Sequence, residues 1–365
     1  MTRIGRPAER PSGSNPKNLL LVLVAGIGDF VMATPTIRSI RGAFPSTHLT
    51  LLTSPQAAGL ARPCPLLDEV LAFDLRAYRP GERGTGWLGW RDLWSMAIQL
   101  RARHIDLAVN LYQIASVGGV LRMGLFFALI GARRTAGRWS GGLGFYFGTR
   151  GVDRPHAVDA MLALAAALGC PVEDGRPALW IPDASRHSAA EHLHRAGLAA
   201  GDRFVAMNIG SNRREARLPF PLAVEIGGRL SRSLNRPVLF LGDASEREAV
   251  QEVCAEVGPD ARSLAGALNL LELAALFERA SIVVSTDSGP MHMAAAVAAP
   301  LVALYGPADP ARFGPRGAGP IVVLQGKSQP RHPLKWHADL TAEEVVSACS
   351  RLLTASPVTG RNGPG

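Results

Sequence analysis

Lysine is almost missing from this chain: Lys17, Lys327 and Lys335 are the only three, so the net charge of +9 rests on arginine. The arginines are scattered, the densest pairs being Arg133-Arg134 and Arg213-Arg214, and no zinc-finger or RNP-type segment accompanies them. The excess therefore points to no nucleic-acid partner; it reads mostly as solvated surface and is compatible with an anionic ligand or an anionic membrane face. Cysteine is scarce as well. Cys64, Cys170, Cys254 and Cys349 never form a CxxC pair, which excludes a disulfide framework and a zinc ribbon and leaves reduced thiols. No apolar run reaches the ~20 residues that span a bilayer. The longest, residues 117–132, is interrupted by Arg122. The first seventeen residues are polar and proline-rich and lack the apolar stretch of a secretory signal, so a cytoplasmic protein is expected, free to touch the inner face of the plasma membrane.

What is present suffices for two cores: 365 residues, 47% of them hydrophobic, exceed one ordinary domain. Residues 1–17 and 356–365 are rich in Pro, Gly, Ser and Arg and read as disordered tails. Residues 18–25 form an apolar strand, followed by a glycine loop, Ala25-Gly26-Ile27-Gly28-Asp29, and a helix through Arg41. Further strands are predicted at 47–53, 69–73 and 105–111, a helix at 87–101, and a helix at 155–168 that stops at Gly169, as helix C-termini do. A second alternating set follows, with strands at 204–209, 237–241, 281–285, 300–304 and 321–324; Thr341 and Glu344 then form a capping box for a last helix. Alternation of strand and helix implies a parallel, doubly wound sheet in each half. The predicted division is 18–170 and 171–340, linked through 171–182, with a terminal helix at 341–355. Residues 115–150 are the least legible. Their glycines, arginines and aromatics fit a surface that lines an acceptor cleft or touches lipid, but weak periodicity favours a helix and loop packed on the sheet.

Gly26-Ile27-Gly28 invites a dinucleotide reading, yet Val31 stands where the third glycine belongs, and Thr53-Ser54 stands where a ribose-binding acid belongs. A nicotinamide dehydrogenase is disfavoured. The loop offers Asp29 instead, a carboxylate at the carboxyl edge of the sheet, where open α/β sheets take ligands. The second informative stretch is 281–310: a β-branched run, then Thr286-Asp287-Ser288-Gly289-Pro290, then an alanine-rich helix carrying His292. A helix start of this kind, with unpaired N–H groups and Gly289 to admit close approach, suits a diphosphate. Asp287 or Ser288 alone could be a helix cap, and His292 alone a core histidine. Their clustering within six positions points to a ligand.

VAGIGDFVMATPTIRSIRGAFP, from Val24, resembles the N-terminal signature of glycosyltransferase family 9, the heptosyltransferases of bacterial lipopolysaccharide. STDSGPMHMAAAVAAPLVALYGPADPARFGP, from Ser285, resembles its C-terminal signature, while 156–169 and 241–248 are similar to its interdomain helix and middle strand and turn. The resemblance spans about residues 18–355 and implies a GT-B architecture: two Rossmann-like domains facing across a cleft, acceptor on the first and nucleotide sugar on the second. It implies inverting transfer of a heptose from ADP-heptose to a hydroxyl of a saccharide acceptor, lipid-linked or not, with no metal or other cofactor; no DxD pair occurs at a strand end. It places the catalytic base on Asp29, beside the acceptor-side glycines Gly26 and Gly28. Donor contacts fall on Ser211, Asn212, Asp287, Ser288, Gly289 and His292. The ribose contact falls most simply on Glu246, with Asp243 and Glu248 as alternatives.

One departure from the family pattern stands at 210–219, where Ala216 and Leu218 occupy the positions of a customary lysine and tryptophan. Arg217, or Arg213 or Arg214, is expected to make the phosphate contact in place of that lysine, since a guanidinium binds phosphate bidentately; solvated arginines are the plainer reading. Two other functions share the pattern: a nucleotide-sugar epimerase or hydrolase of the same plan, and a catalytically silent glycan- or nucleotide-sugar-binding protein. The first needs further acid/base residues near Asp29 and the second has no use for that carboxylate.

Overall fold

The computed structural model describes residues 15–74, 87–114, 116–139, 156–172, 174–211, 216–306, 308–326 and 339–355. The chain divides into two compact units, Met1–Gly175 and Arg176–Gly365. In unit 1 the strands are β1 (Asn18–Leu23), β2 (His48–Thr53), β3 (Glu69–Ala72), β4 (Leu107–Ile114) and β5 (Arg134–Trp139). The helices are α1 (Ile27–Ala43), α2 (Pro55–Ala61), α3 (Trp87–Arg101), α4 (Val117–Leu129) and α5 (Ala157–Ala167). All strands run parallel in the order β3-β2-β1-β4-β5, with Asn18 opposite His48 and Leu19 opposite Leu107. The direction of winding reverses between β1 and β4.

β1 is Leu and Val from its second residue onward and buried throughout that run, as a central strand covered on both faces must be. α1 packs on α5 and α2 and is buried from Phe30 to Ile37, Thr34 and Thr36 included. Pro35 lies inside it. Proline has no N–H to offer the Val31 carbonyl, and the Thr34 hydroxyl donates to that oxygen instead, at 2.7 Å. α5 ends at Gly169, whose φ of +78° is the left-handed conformation the sequence position called for.

Two expectations need correction. Pro16 and Lys17 are placed, not part of a loose tail: the Thr47 hydroxyl donates to Pro16 O at 2.5 Å, His48 N to Lys17 O at 2.8 Å, and the Asp106 carboxylate accepts from Lys17 N at 2.8 Å. And 115–150 is not helix and loop alone. α4 is followed by the edge strand β5, whose Arg-Thr-Ala-Gly-Arg-Trp sequence lacks the apolar alternation that marks a strand. Residues 140–150 lie outside the described residues.

Unit 2 has the strands β6 (Val205–Asn208), β7 (Val238–Leu241), β8 (Ala261–Ser263), β9 (Ile282–Thr286), β10 (Leu301–Tyr305) and β11 (Ile321–Gln325). Its helices are α6 (Asp183–Arg195), α7 (Phe220–Leu234), α8 (Arg247–Val257), α9 (Leu270–Arg279), α10 (Gly289–Ala296), α11 (Pro310–Phe313) and α12 (Ala342–Ala355). The sheet is parallel in the order β11-β10-β9-β6-β7-β8. Counted from the first strand of the unit this is 3-2-1-4-5-6, the doubly wound arrangement whose crevice for ligands opens between the first and fourth strands, here β6 and β9. α12 opens with the expected capping box, Thr341 N to Glu344 at 2.9 Å and Glu344 N to Thr341 Oγ1 at 3.2 Å, and packs on α7 over the shared core. β8, only three residues long, has no sequence signal of its own.

Candidate functional site

In unit 1 the predicted glycine loop shrinks to Ala25 and Gly26. Gly26 is the N-cap of α1, Gly28 its second residue and Asp29 its third. A backbone N–H at an N-cap has no helical partner, and Asp29 supplies one: its Oδ2 accepts from Gly26 N at 3.0 Å. A Cβ at position 26 would lie 3.4 Å from that oxygen, so the absence of a side chain keeps the carboxylate's surroundings open. Asp29 is half-buried, in the first helical turn, directly above the switch point of the sheet. The site that an NAD-binding protein would use for the ribose is otherwise occupied: the Thr53 hydroxyl donates to Leu23 O at 2.8 Å, and Ser54 caps α2.

In unit 2 the corresponding edge gathers residues from three strands. Ser288 is the N-cap of α10 but makes no side-chain cap hydrogen bond. Its hydroxyl donates to Thr286 O at 3.1 Å and accepts from Asn208 Nδ2 at 3.1 Å, so it does not close off the helix start. Pro290 at the second position has no N–H, which leaves the first-turn donors of Gly289 and Met291 at an end carrying partial positive charge. Asp287 and His292 are both buried, His292 in the second turn of α10. The strand end that carries them is tied to the loop after β6, since the Thr286 hydroxyl donates to Gly210 O at 2.7 Å and the Ser211 hydroxyl to Asp287 O at 3.3 Å.

Across that loop sits Glu246, in a short 3₁₀ turn after β7. Its carboxylate lies against Gly210 so closely that a Cβ there would fall 2.1 Å from Oε2. Arg217 joins the group, its Nε donating to Ser211 O at 2.9 Å and standing 3.8 Å from Glu246 Oε1. The two other acids of the turn are placed differently. Asp243 accepts from Ser245 N at 2.8 Å and Ser245 Oγ at 2.6 Å, a local cap, and Glu248 is exposed on α8. Ala216 and Leu218 are buried in the core. Asn212, Arg213 and Arg214 lie outside the described residues.

Sequence reading missed Asn208. It is buried at the end of β6, and its Nδ2 reaches Gly210 O at 3.2 Å, Ser285 Oγ at 3.3 Å and Ser288 Oγ at 3.1 Å, pinning together the two strands that flank the crevice. Unit 1 has a counterpart in buried Asn110 on β4, whose Nδ2 donates to Tyr112 O at 2.7 Å where the β4–β5 register shifts. The available signal is an amide ending an apolar run. Among the described residues no group of three or more His, Cys, Asp or Glu is placed to hold a metal ion, and no helix is long and apolar enough to cross a membrane.

Two parallel Rossmann-like sheets, one in each unit, are the architecture of the GT-B class of glycosyltransferases. The family model described as glycosyltransferase family 9 (heptosyltransferase) matches residues 93–337. The chain belongs to that family and is a glycosyltransferase. It is 25% identical over 361 residues to the lipopolysaccharide core heptosyltransferase OpsX of Haemophilus influenzae, across 95% of this chain and 96% of that protein. The crystal structure of a family 9 glycosyl transferase from Veillonella parvula superposes with a TM-score of 0.76 at 25% identity, covering 94% of this chain and 100% of the other. The E. coli ADP-heptose LPS heptosyltransferase II superposes with a TM-score of 0.72 at 21% identity, covering 92% and 98%.

Proposed function

We propose that this protein transfers a heptose from ADP-heptose to a hydroxyl of a saccharide acceptor of the lipopolysaccharide-core kind, with inversion at the anomeric carbon and without a bound metal. The supporting observation is the start of α10: an N-cap serine turned away from the helix, first-turn N–H groups at the switch point of the sheet, and buried Asp287 and His292 beside them. Departing ADP gains negative charge as the glycosidic bond breaks, and fixed backbone donors stabilise such charge without reorganising. Arg217 and the helix dipole contribute positive charge at the same edge, and Glu246, between Gly210 and Gly242, suits the ribose hydroxyls as an acceptor pair.

Asp29 acts as the base in this reading. Its carboxylate takes the proton of the acceptor hydroxyl, the oxygen's electron pair forms the new bond to the anomeric carbon, and ADP leaves with the electrons of the old one. A carboxylate is a weak base, so the Gly26 N–H that fixes its rotamer counts for more than basicity.

A lipid-linked acceptor brings the enzyme to a membrane surface. Val117, Leu121, Leu125 and Leu129 recur every four residues along α4 and are 38–63% exposed, and Trp94 and Ile98 on the adjoining α3 are 58% and 54% exposed. α4 contains no acid and one arginine, Arg122. An apolar stripe with aromatic and basic company suits the headgroup region of an anionic bilayer.

Incubation of the protein with ADP-heptose and heptose-free core saccharide, followed by measurement of ADP release and the anomeric configuration of the product, tests the reading. One inverted glycosidic linkage per ADP is expected. Turnover with another nucleotide sugar alone, or retention at the anomeric carbon, refutes it.

A further inference from the structure

Unit 2 has a second concavity, at the amino ends of β6, β7 and β8, on the sheet edge opposite the one that carries Glu246 and α10. Its volume is about 460 Å³, and its polar lining comprises Asp202, Arg203, Asn235, Arg236 and Arg262. Three guanidinium groups against one carboxylate leave a net charge of +2. Asp202 is exposed, and its Oδ2 accepts the Ala199 N–H at 2.7 Å. Arg262 is held by backbone carbonyls, its Nε donating to Ala196 O at 3.3 Å and its Nη1 to Pro259 O and, at 3.1 Å, to Ala261 O, which fixes the position of its charge at the cavity.

Arg236 is the informative member. Its Nη1 is buried, and among the described residues no group accepts from it. Burial, together with the like charge of Arg203, pulls its pKa below the ordinary guanidinium value. Like charges sharing one cavity repel one another, as Arg203 and Arg236 do here, and an oxyanion bound among them would relieve that repulsion. Guanidinium forks match the oxygens of phosphate in pairs, and the cavity exceeds the size of a bare phosphate, leaving space for the body that carries it.

We propose that this pocket binds a phosphate monoester or diester group, with Arg203, Arg236 and Arg262 as its donors, distinct from the nucleotide-sugar edge of the same sheet. The group comes either from a soluble phosphorylated metabolite or from a phospholipid headgroup, and two arms of one experiment separate the sources. The first titrates sn-glycerol 3-phosphate into the protein calorimetrically. The second sediments the protein with phosphatidylglycerol vesicles. Each uses the wild type, Arg203→Ala, Arg236→Gln, and Arg351→Ala, which removes one charge from α12 far along the chain. Saturable binding in the first arm, weakened at least tenfold by either pocket substitution and unchanged by Arg351→Ala, supports the proposal with a soluble ligand; a tenfold loss is about 1.4 kcal/mol. The same dependence confined to the second arm supports it with a headgroup as the source. No binding in either arm, or binding that Arg351→Ala weakens as much as the pocket substitutions do, overturns it. Arg203 is exposed, so its replacement keeps the test decisive if the Arg236 variant unfolds.

Discussion

At the residue scale, Asp29 has two duties that one substitution separates. Asparagine keeps an oxygen for the Gly26 N–H, so Asp29→Asn is expected to unfold at the wild-type temperature and bind ADP-heptose as before. It loses about 10²–10⁴-fold in turnover, the usual contribution of a positioned base. Steady-state kinetics beside a thermal melt checks both halves, and unchanged turnover removes Asp29 from the chemistry. Gly210 gives a second test, because the atoms a Cβ there would strike first are those of the Glu246 carboxylate. Gly210→Ala is expected to raise the KM for the donor about tenfold with kcat nearly kept and stability within about 1 kcal/mol; an unaltered KM detaches Glu246 from the donor. The helix starts that carry Asp29, Asp287 and His292 were legible as local structure because loop chemistry crowds unusual residues into a short window. That Glu246, and not Asp243 or Glu248, lies against the bare backbone of Gly210 was not, since that proximity joins residues far apart in the chain.

At the element scale, α1 carries a proline in its interior that the sequence does not excuse and the structure does. Thr34→Val removes the hydroxyl that serves the Val31 carbonyl and is expected to destabilise unit 1 by about 1–3 kcal/mol, the cost of an unsatisfied buried group. Adding Pro35→Ala restores a backbone N–H for the same oxygen, so the double variant should recover most of that loss. Urea unfolding of the four proteins measures the coupling, and simple additivity disproves it. The strong elements, β1, α1, β9 and α10, were readable from apolar runs and punctuation. β5 and β8 were not, because an edge strand needs little apolar pattern and takes its conformation from the neighbour that pairs with it.

At the scale of the whole molecule, acid sensitivity should come mainly from unit 1, which among the described residues holds three depressed carboxyls where unit 2 holds one, the exposed Glu344. The Arg103 hydrogen bond holds the Glu69 carboxyl below its ordinary 4.5. Burial would raise Asp68 and Asp106, but the Leu49 N–H and Arg41 for the one, and the Asn18 and Lys17 N–H groups with Arg133 for the other, outweigh it and keep both below 3.8. A carboxyl depressed in the folded state stabilises above its unfolded pKa and loses that contribution as the pH falls toward the folded one. The urea midpoint is therefore expected to fall between about pH 5 and pH 3, and to fall less in Asp106→Asn; equal slopes refute the assignment. The thiols behave oppositely, burial pushing Cys64 and Cys254 up to about 11 and Cys349 to about 12, so alkylation at neutral pH should report unfolding only. The sequence by itself determined two alternating α/β halves, the Asp29 turn and the Asp287–His292 helix start, because periodicity and local turn chemistry are written in consecutive residues. Only the tertiary structure decided that Asn208 pins β6 to β9, that Glu246 lies against Gly210, and that Arg203, Arg236 and Arg262 share one cavity. Those pairings join residues far apart in the chain, and parallel strands bring their ends together only once the whole sheet has formed.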